Sequence, residues 1–387
     1  MTTQDDGNRP RFAAAMLQAF RDSGARDATY DPDEFHIRLG NGAVMPLENW
    51  FRHSGEMTLP ERDRWIVRIV SQLLDSRDSE EWAEVRPLLR PILRKSTYGR
   101  SRSPGGLLGR PAFPFIDEMV VADRPETREF VNDSHLAKWG VSAEEVFEAA
   151  RENLAALIPP LPFLSDNAIV PFIDNNDNYL TSWLLHPGWL ASCAEGLGYP
   201  PVAFIPDSTS LILITGDPAN IGPAFTMIEK QYLEAERPLS PQGYTVDAQG
   251  RVVPFDQAVP AARRARALFA MQEYNDQQKW LSDFYEEEME AIFVASVKVA
   301  ERDAAWITAT VWAEGVTYAL PATDFVVFLS GDRQRMFEVP FSTVVELTGI
   351  ETIPGLNPPR YRADGWPQPS VVAELQAAAV PAIPRRA

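Results

Sequence analysis

The chain has 387 residues, 45% hydrophobic and 23% charged, with a formal net charge of -18 and a single cysteine. That length gives two or three domains with cores of ordinary size. The acidic balance works against nucleic acid and anionic membranes as partners, since both are bound through positive surface. One cysteine, Cys193, excludes an internal disulfide and any metal site built from several thiolates.

Met1 to Asp6 is polar and acidic, unlike the basic start and apolar core of a secretion signal. No apolar run approaches the ~20 residues that a membrane helix needs. The expected place is the cytoplasm. Cys193 lies in the apolar run Trp189 to Ala194 without a neighbouring Lys, Arg or His, which points to a small buried thiol.

In chain order, residues 11–22 place Phe12, Met16, Leu17 and Phe20 on one helical face, with Gly24 as the stop. Residues 35–47 read as a hairpin turning at Gly40-Asn41-Gly42. Residues 61–75 form an amphipathic helix through Trp65, Ile66, Ile69, Val70, Leu73 and Leu74. Residues 1–97 are therefore an α-β-β-α unit, and 98–111 are a linker rich in Gly, Ser, Pro and Arg.

Strands are expected at 116–123 and 167–173. Between them Ser142 and Glu145 make a capping box for a helix to Leu154. Strands at 201–207 and 210–216 follow, then a helix opened by Asp217-Pro218, then a hairpin over 244–254. This gives a middle domain at 111–258. Residues 261–292 predict a long helix, and 294–339 a series of strands, so 261–353 is a long helix with an antiparallel β body. The Pro- and Ala-rich residues 354–387 read as a tail with one short helix. The fold class is α+β.

Several segments add a likeness. They are Ala137 to Leu154, Asp177 to Leu185, Val202 to Pro206 with Leu211 to Gly216, and Pro238 to Ser240 with Pro254-Phe255. Together they resemble the YtpQ-like family of bacterial proteins, a domain-of-unknown-function family, over residues 11–256. Asn178 and Leu180 stand where that family's motif has Gly and Asp. The resemblance implies an α+β cytoplasmic protein and assigns no activity.

Candidate chemistry is sparse. Asp31, Asp33, Glu34 and His36 look like metal ligands, but alternation along a strand separates Asp33 from His36. Asp174 to Asn178 is oxygen-rich yet lacks the Gly and closing Glu of a calcium loop. Just beyond it, Asp177, Tyr179, Ser182 and His186 form the candidate ligand site; if residues 180–186 are α-helical, Ser182 and His186 share a face. Arg90, Arg94, Lys95, Arg100 and Arg102 form a candidate patch for an anion or a partner. Trp306, Trp312 and Trp366 read as packing residues.

Neither a dinucleotide fingerprint nor a nucleophile elbow occurs, so no cofactor and no metal is expected. The expected function is a non-enzymatic interaction factor, adaptor or immunity-like, that meets another protein through the β body or the acidic helix end Glu286 to Glu290. The alternative is a hydrolase or small-ligand domain built on Asp177, Ser182 and His186.

Overall fold

A computed structural model describes the chain except at residues 1–7, 33–34, 40–43, 76–80, 100–105, 125–127, 161–163, 173–178, 218–220, 256–258, 303–304 and 381–387. The fold is α+β. It divides into two compact units: Met1–Leu89 with Ala122–Glu129 and Ser134–Ser142, and Arg90–Val121 with Phe130–Asp133 and Ala143–Ala387. The expected middle domain and the expected β body thus fall in one unit.

In the first unit, helices Arg9–Asp22 and Leu59–Asp75 contribute Phe12, Met16, Phe20, Ile66, Ile69 and Val70 to one core. These residues recur at three- and four-residue intervals, the spacing of one helix face. Strands Thr29–Asp31, His36–Arg38 and Val44–Pro46 form an antiparallel sheet. The hairpin strands are therefore present, while Gly40 to Gly42 lie outside the described residues. Asp31 and His36 are paired across this sheet, with His36 Nε2 3.9 Å from Asp31 Oδ2; Asp33 and Glu34 are not among the described residues.

In the second unit, residues 90–95, 109–113 and 116–121 share a sheet. A second sheet runs Val252–Pro254, Gly243–Val246, Val202–Phe204, Leu211–Ile214, Ile169–Phe172, every neighbour antiparallel. A Cβ at Gly243 would sit 2.8 Å from a methyl of Val202, so the close packing of these strands requires glycine. Ile169–Phe172 is an edge strand. Pro171 is exposed on it and offers no N–H to a stray strand. The helix expected after Asp217-Pro218 spans Gly222–Glu234, with a proline in its first turn; Pro218 itself lies outside the described residues.

The β-rich part contains two four-stranded sheets. Ala305–Ala313 pairs with Phe325–Leu329 in parallel, as does Ile292–Val294 with Thr317–Pro321. The expected antiparallel body is therefore mixed. Strands that follow one another in the chain, Ala305–Ala313, Thr317–Pro321 and Phe325–Leu329, alternate between the sheets, so the chain re-enters each sheet in its original direction. The expected tail is also part of this body. Arg360–Ala363 is an interior strand, helix Pro369–Ala377 buries Leu375, and the Val380 N–H bonds to the Glu338 carbonyl at 2.9 Å. Trp312 is buried against Phe328, with ring centroids 5.3 Å apart.

The long helix spans Pro260–Glu287, ending earlier than its expected close at 292. Its buried residues include Ala262, Ala265, Phe269, Glu273, Gln277, Leu281 and Tyr285, a stripe with three- and four-residue spacing. Ala262 and Ala265 enter one hydrophobic cluster, Phe269 a second, Ala270 and Tyr274 a third, Leu281 and Tyr285 a fourth. Two stripe positions are polar. Gln277 Oε1 accepts from Arg360 Nε at 2.6 Å, and Gln277 Nε2 donates to the Pro358 carbonyl at 2.7 Å.

Arg360 is fully buried. Its other N–H groups donate to the carbonyls of Ala295 at 2.7 Å, Ala319 at 2.9 Å and Tyr274 at 2.9 Å. Burial pushes its guanidinium down to about 10, which still leaves it protonated at neutral pH. Leucine in place of Gln277 would suit a buried helix by propensity and hydrophobicity, yet it would strand the Arg360 Nε and the Pro358 carbonyl. Gln277→Leu is expected to destabilise the protein by about 2 kcal/mol, measured from its urea denaturation midpoint; a stabilised variant would show that this clasp holds nothing.

Candidate functional site

Among the residues selected from sequence, Asp177 lies outside the described residues. Tyr179 and Ser182 are buried, and His186 is half-buried. Leu180–Leu185 is a 3₁₀ helix rather than an α-helix. With three residues per turn, Ser182 lines up with Leu185 and not with His186, so the expected shared face is absent. His186 ends the turn in an extended conformation, its backbone N–H bonded to the Trp183 carbonyl at 3.0 Å. A short helix, Trp189–Ser192, follows.

The turn is lined with aromatic rings. Phe172, Trp183 and Trp189 meet edge to face, with centroids 5.5, 5.9 and 5.6 Å apart. Four enclosed polar atoms in this stretch have no hydrogen-bond partner among the described residues: Ser182 Oγ, Trp183 Nε1, His186 Nδ1 and Trp189 Nε1. Each such atom costs about 1–3 kcal/mol if nothing pairs with it. Cys193 packs in the same hydrophobic cluster; burial pushes its thiol up to about 12, consistent with an inert core residue.

Of the basic patch, Arg100 and Arg102 are not among the described residues. Arg90 and Arg94 lie half-buried on strand Leu89–Lys95 and both are engaged. Arg94 donates to the Leu93 carbonyl at 2.7 Å and stands over the Tyr98 ring at 5.6 Å. Lys95 alternates onto the side of Leu93. Its Nζ lies 3.4 Å from Glu273 Oε1 and donates to the Tyr232 hydroxyl at 3.0 Å. Lys95 is therefore spent inside the protein, and the expected patch of available cations is corrected at that position.

Glu273, on the long helix, is the buried centre of this second cluster. Thr97 Oγ1 donates to Glu273 Oε2 at 2.9 Å, and the Tyr232 hydroxyl bonds to Gln272. Burial raises the Glu273 carboxyl above its usual range, against the opposing pull of Lys95 and the Thr97 hydrogen bonds. Another carboxylate, Glu118, is fully buried between Arg110, at 2.8 Å, and Arg151, at 2.6 Å. Such pairing makes Glu118 a structural ion pair. A shallow groove of about 400 Å³ lies between helix Gly222–Glu234 and the long helix. Phe225, Leu233 and Ala261 line it, along with Arg264, which is closed onto Glu229 at 2.8 Å. No residue selected from sequence lines this groove.

Glu273, Gln277 and Arg360 were missed from sequence. Their signal was the buried stripe itself: continuing the three- and four-residue spacing from Ala262 to Tyr285 lands on Glu273 and Gln277, where a charged or amide side chain demands a partner.

The described residues thus define an α+β protein whose polar groups gather at the 179–189 turn and along the long helix. The chain matches no family model and no solved structure. Among curated proteins it is similar to a probable mitochondrial cytochrome P450 12b2 of Drosophila melanogaster, 27% identical over 147 residues, which are 36% of this chain and 24% of that protein. The chain spans about a quarter of that relative's length.

A carboxyl whose folded pKa exceeds its unfolded value binds its proton more tightly in the folded state. Its contribution to stability is then lost as pH rises from the ordinary 4.5 through the folded pKa. Glu273→Gln keeps an acceptor for Thr97 and removes the titration. Across that window, wild type is expected to lose melting temperature relative to the variant as pH rises. A difference that stays constant, or runs the other way, would contradict this reading of Glu273.

Proposed function

We propose that the protein is a non-enzymatic interaction factor, an adaptor, regulator or immunity-like protein, and that it meets another protein at the end of the long helix. The observation that carries this is Met289, which is 91% exposed. It follows the last helical turn at φ 55°, a left-handed position that ordinarily falls to Gly or Asn. A large apolar side chain held there in water contributes nothing to the core.

Phe293, four residues on, is 55% exposed and rests one side of its ring on Tyr318, with centroids 5.3 Å apart. Glu286, Glu287, Glu288 and Glu290 adjoin Met289 in sequence, all exposed. Arg362 lies 3.5 Å from Glu290 but is also held by Asp364, at 2.8 Å. Exposed apolar groups rimmed by charge mark docking surfaces, and both this rim and the net charge of -18 favour a partner that is basic as well as apolar.

The test compares the full-length chain with Met289→Glu/Phe293→Glu, each immobilised and exposed to a lysate of the native host at low and high salt. The expected result is a partner retained by wild type, weakened by salt, and bound at least about tenfold more weakly by the double variant. Recovery of the bait alone, or equal recovery by both chains, would overturn the proposal.

A further inference from the structure

We propose that Met289 is a redox-sensitive modification site: a hydroperoxide converts its thioether to the sulfoxide, and the sulfoxide releases the partner that docks at the end of the long helix. The release rests on the docking surface proposed above. The chemistry at sulfur does not.

The backbone sets the exposure of the sulfur. The Met289 N–H bonds to the Glu286 carbonyl at 3.2 Å, and the Glu290 N–H to the Tyr285 carbonyl at 2.9 Å. These two bonds close the helix in the pattern that places a left-handed residue, ordinarily Gly, after its last turn. Here that residue is Met289, at φ 55°. With the main chain held on both sides, its side chain stays 91% exposed. The chain has nine methionines. Met16 and Met119 are buried, at 0% and 2%, and Met45, Met57, Met227 and Met271 are half-buried. Among the described residues only Met336 is exposed besides Met289, at 51%, and it lies on strand Met336–Pro340. Oxidation follows access, so Met289 stands first in line.

The oxidant is hydrogen peroxide or another uncharged hydroperoxide. A sulfur lone pair forms an S–O bond to one peroxide oxygen as the O–O bond breaks. The hydrogen on the transferred oxygen passes to the departing hydroxide, which leaves as water. Sulfur gives up two electrons and the peroxide takes them. Exposed Glu286, Glu287, Glu288 and Glu290 repel an anionic oxidant but not a neutral one. The product carries a polar S–O group where an apolar thioether stood. In water that group is hydrated. Pressed against an apolar partner surface it loses that hydration and finds no donor, so docking weakens.

The test treats the full-length chain with hydrogen peroxide beside N-acetylmethionine, stops the reaction at intervals with catalase, and follows each methionine by peptide mass. Met289 is expected to react within about twofold of N-acetylmethionine, Met336 more slowly, and Met16 and Met119 at least about tenfold more slowly. Chain stopped when Met289 alone is oxidised is then immobilised and exposed to the same lysate as the untreated chain. It should retain the partner at least about tenfold more weakly, and methionine sulfoxide reductase should restore retention. Whatever retention Met289→Leu has should survive the same peroxide treatment. If Met289 reacts no faster than the buried methionines, the modification site is wrong, whatever docks there. If it reacts first but oxidised chain holds the partner as well as untreated chain, or Met289→Leu loses its partner equally, the switch is wrong and the docking surface stands. If untreated chain recovers nothing, the docking reading falls and the switch with it, while the peptide masses still decide the chemistry at Met289.

Discussion

A helix with a glutamate and a glutamine at the centre of its buried stripe folds only if both find partners, because an unpaired polar group in the interior costs more than packing returns there. Glu273 and Gln277 of Pro260–Glu287 impose that condition on this protein. Gln277 is answered by Arg360, 83 residues away; Glu273 is answered by Thr97, 176 residues away, and by Lys95. The same helix carries apolar residues into four hydrophobic clusters. Its polar positions fix which segments lie against it, and its apolar positions supply the contact area.

Several features follow from this constraint. Arg360 needs acceptors on all sides, and Ala295, Ala319 and Tyr274 provide them as backbone carbonyls, which places its strand inside a sheet. Lys95 is turned away from the basic stretch it belongs to in sequence. Beyond Glu287 the helix has completed this work, and the next large apolar side chain, Met289, has no core to enter. The exposed end of the helix and its clasped middle are two parts of one element with different tasks.

Local features of the fold were legible in the sequence. The helices at Arg9–Asp22 and Leu59–Asp75 declare themselves by periodic apolar residues. The hairpin of Gly243–Val246 and Val252–Pro254 is set by Asp247, whose carboxylate accepts from the N–H groups of Gln249 and Arg251 at 2.9 Å each, and by Gly250 at φ 75°. Long-range features were not legible. Parallel pairing of Ala305–Ala313 with Phe325–Leu329 depends on which sheet the intervening strand joins, and no local signal states that. The Pro- and Ala-rich composition after residue 354 hid Arg360–Ala363. At the candidate site, the α-helical geometry expected of residues 180–186 gives way to a 3₁₀ helix over Leu180–Leu185.

The central claim is that the clasped long helix is the element on which the second unit depends. Native-state hydrogen exchange measures this directly. The account requires the amides from Phe269 to Leu281 to be among the slowest in the second unit, exchanging only when that unit unfolds globally and tracking its denaturant dependence. Exchange of these amides through local opening, while the helix Ala143–Ala155 remained protected, would contradict it.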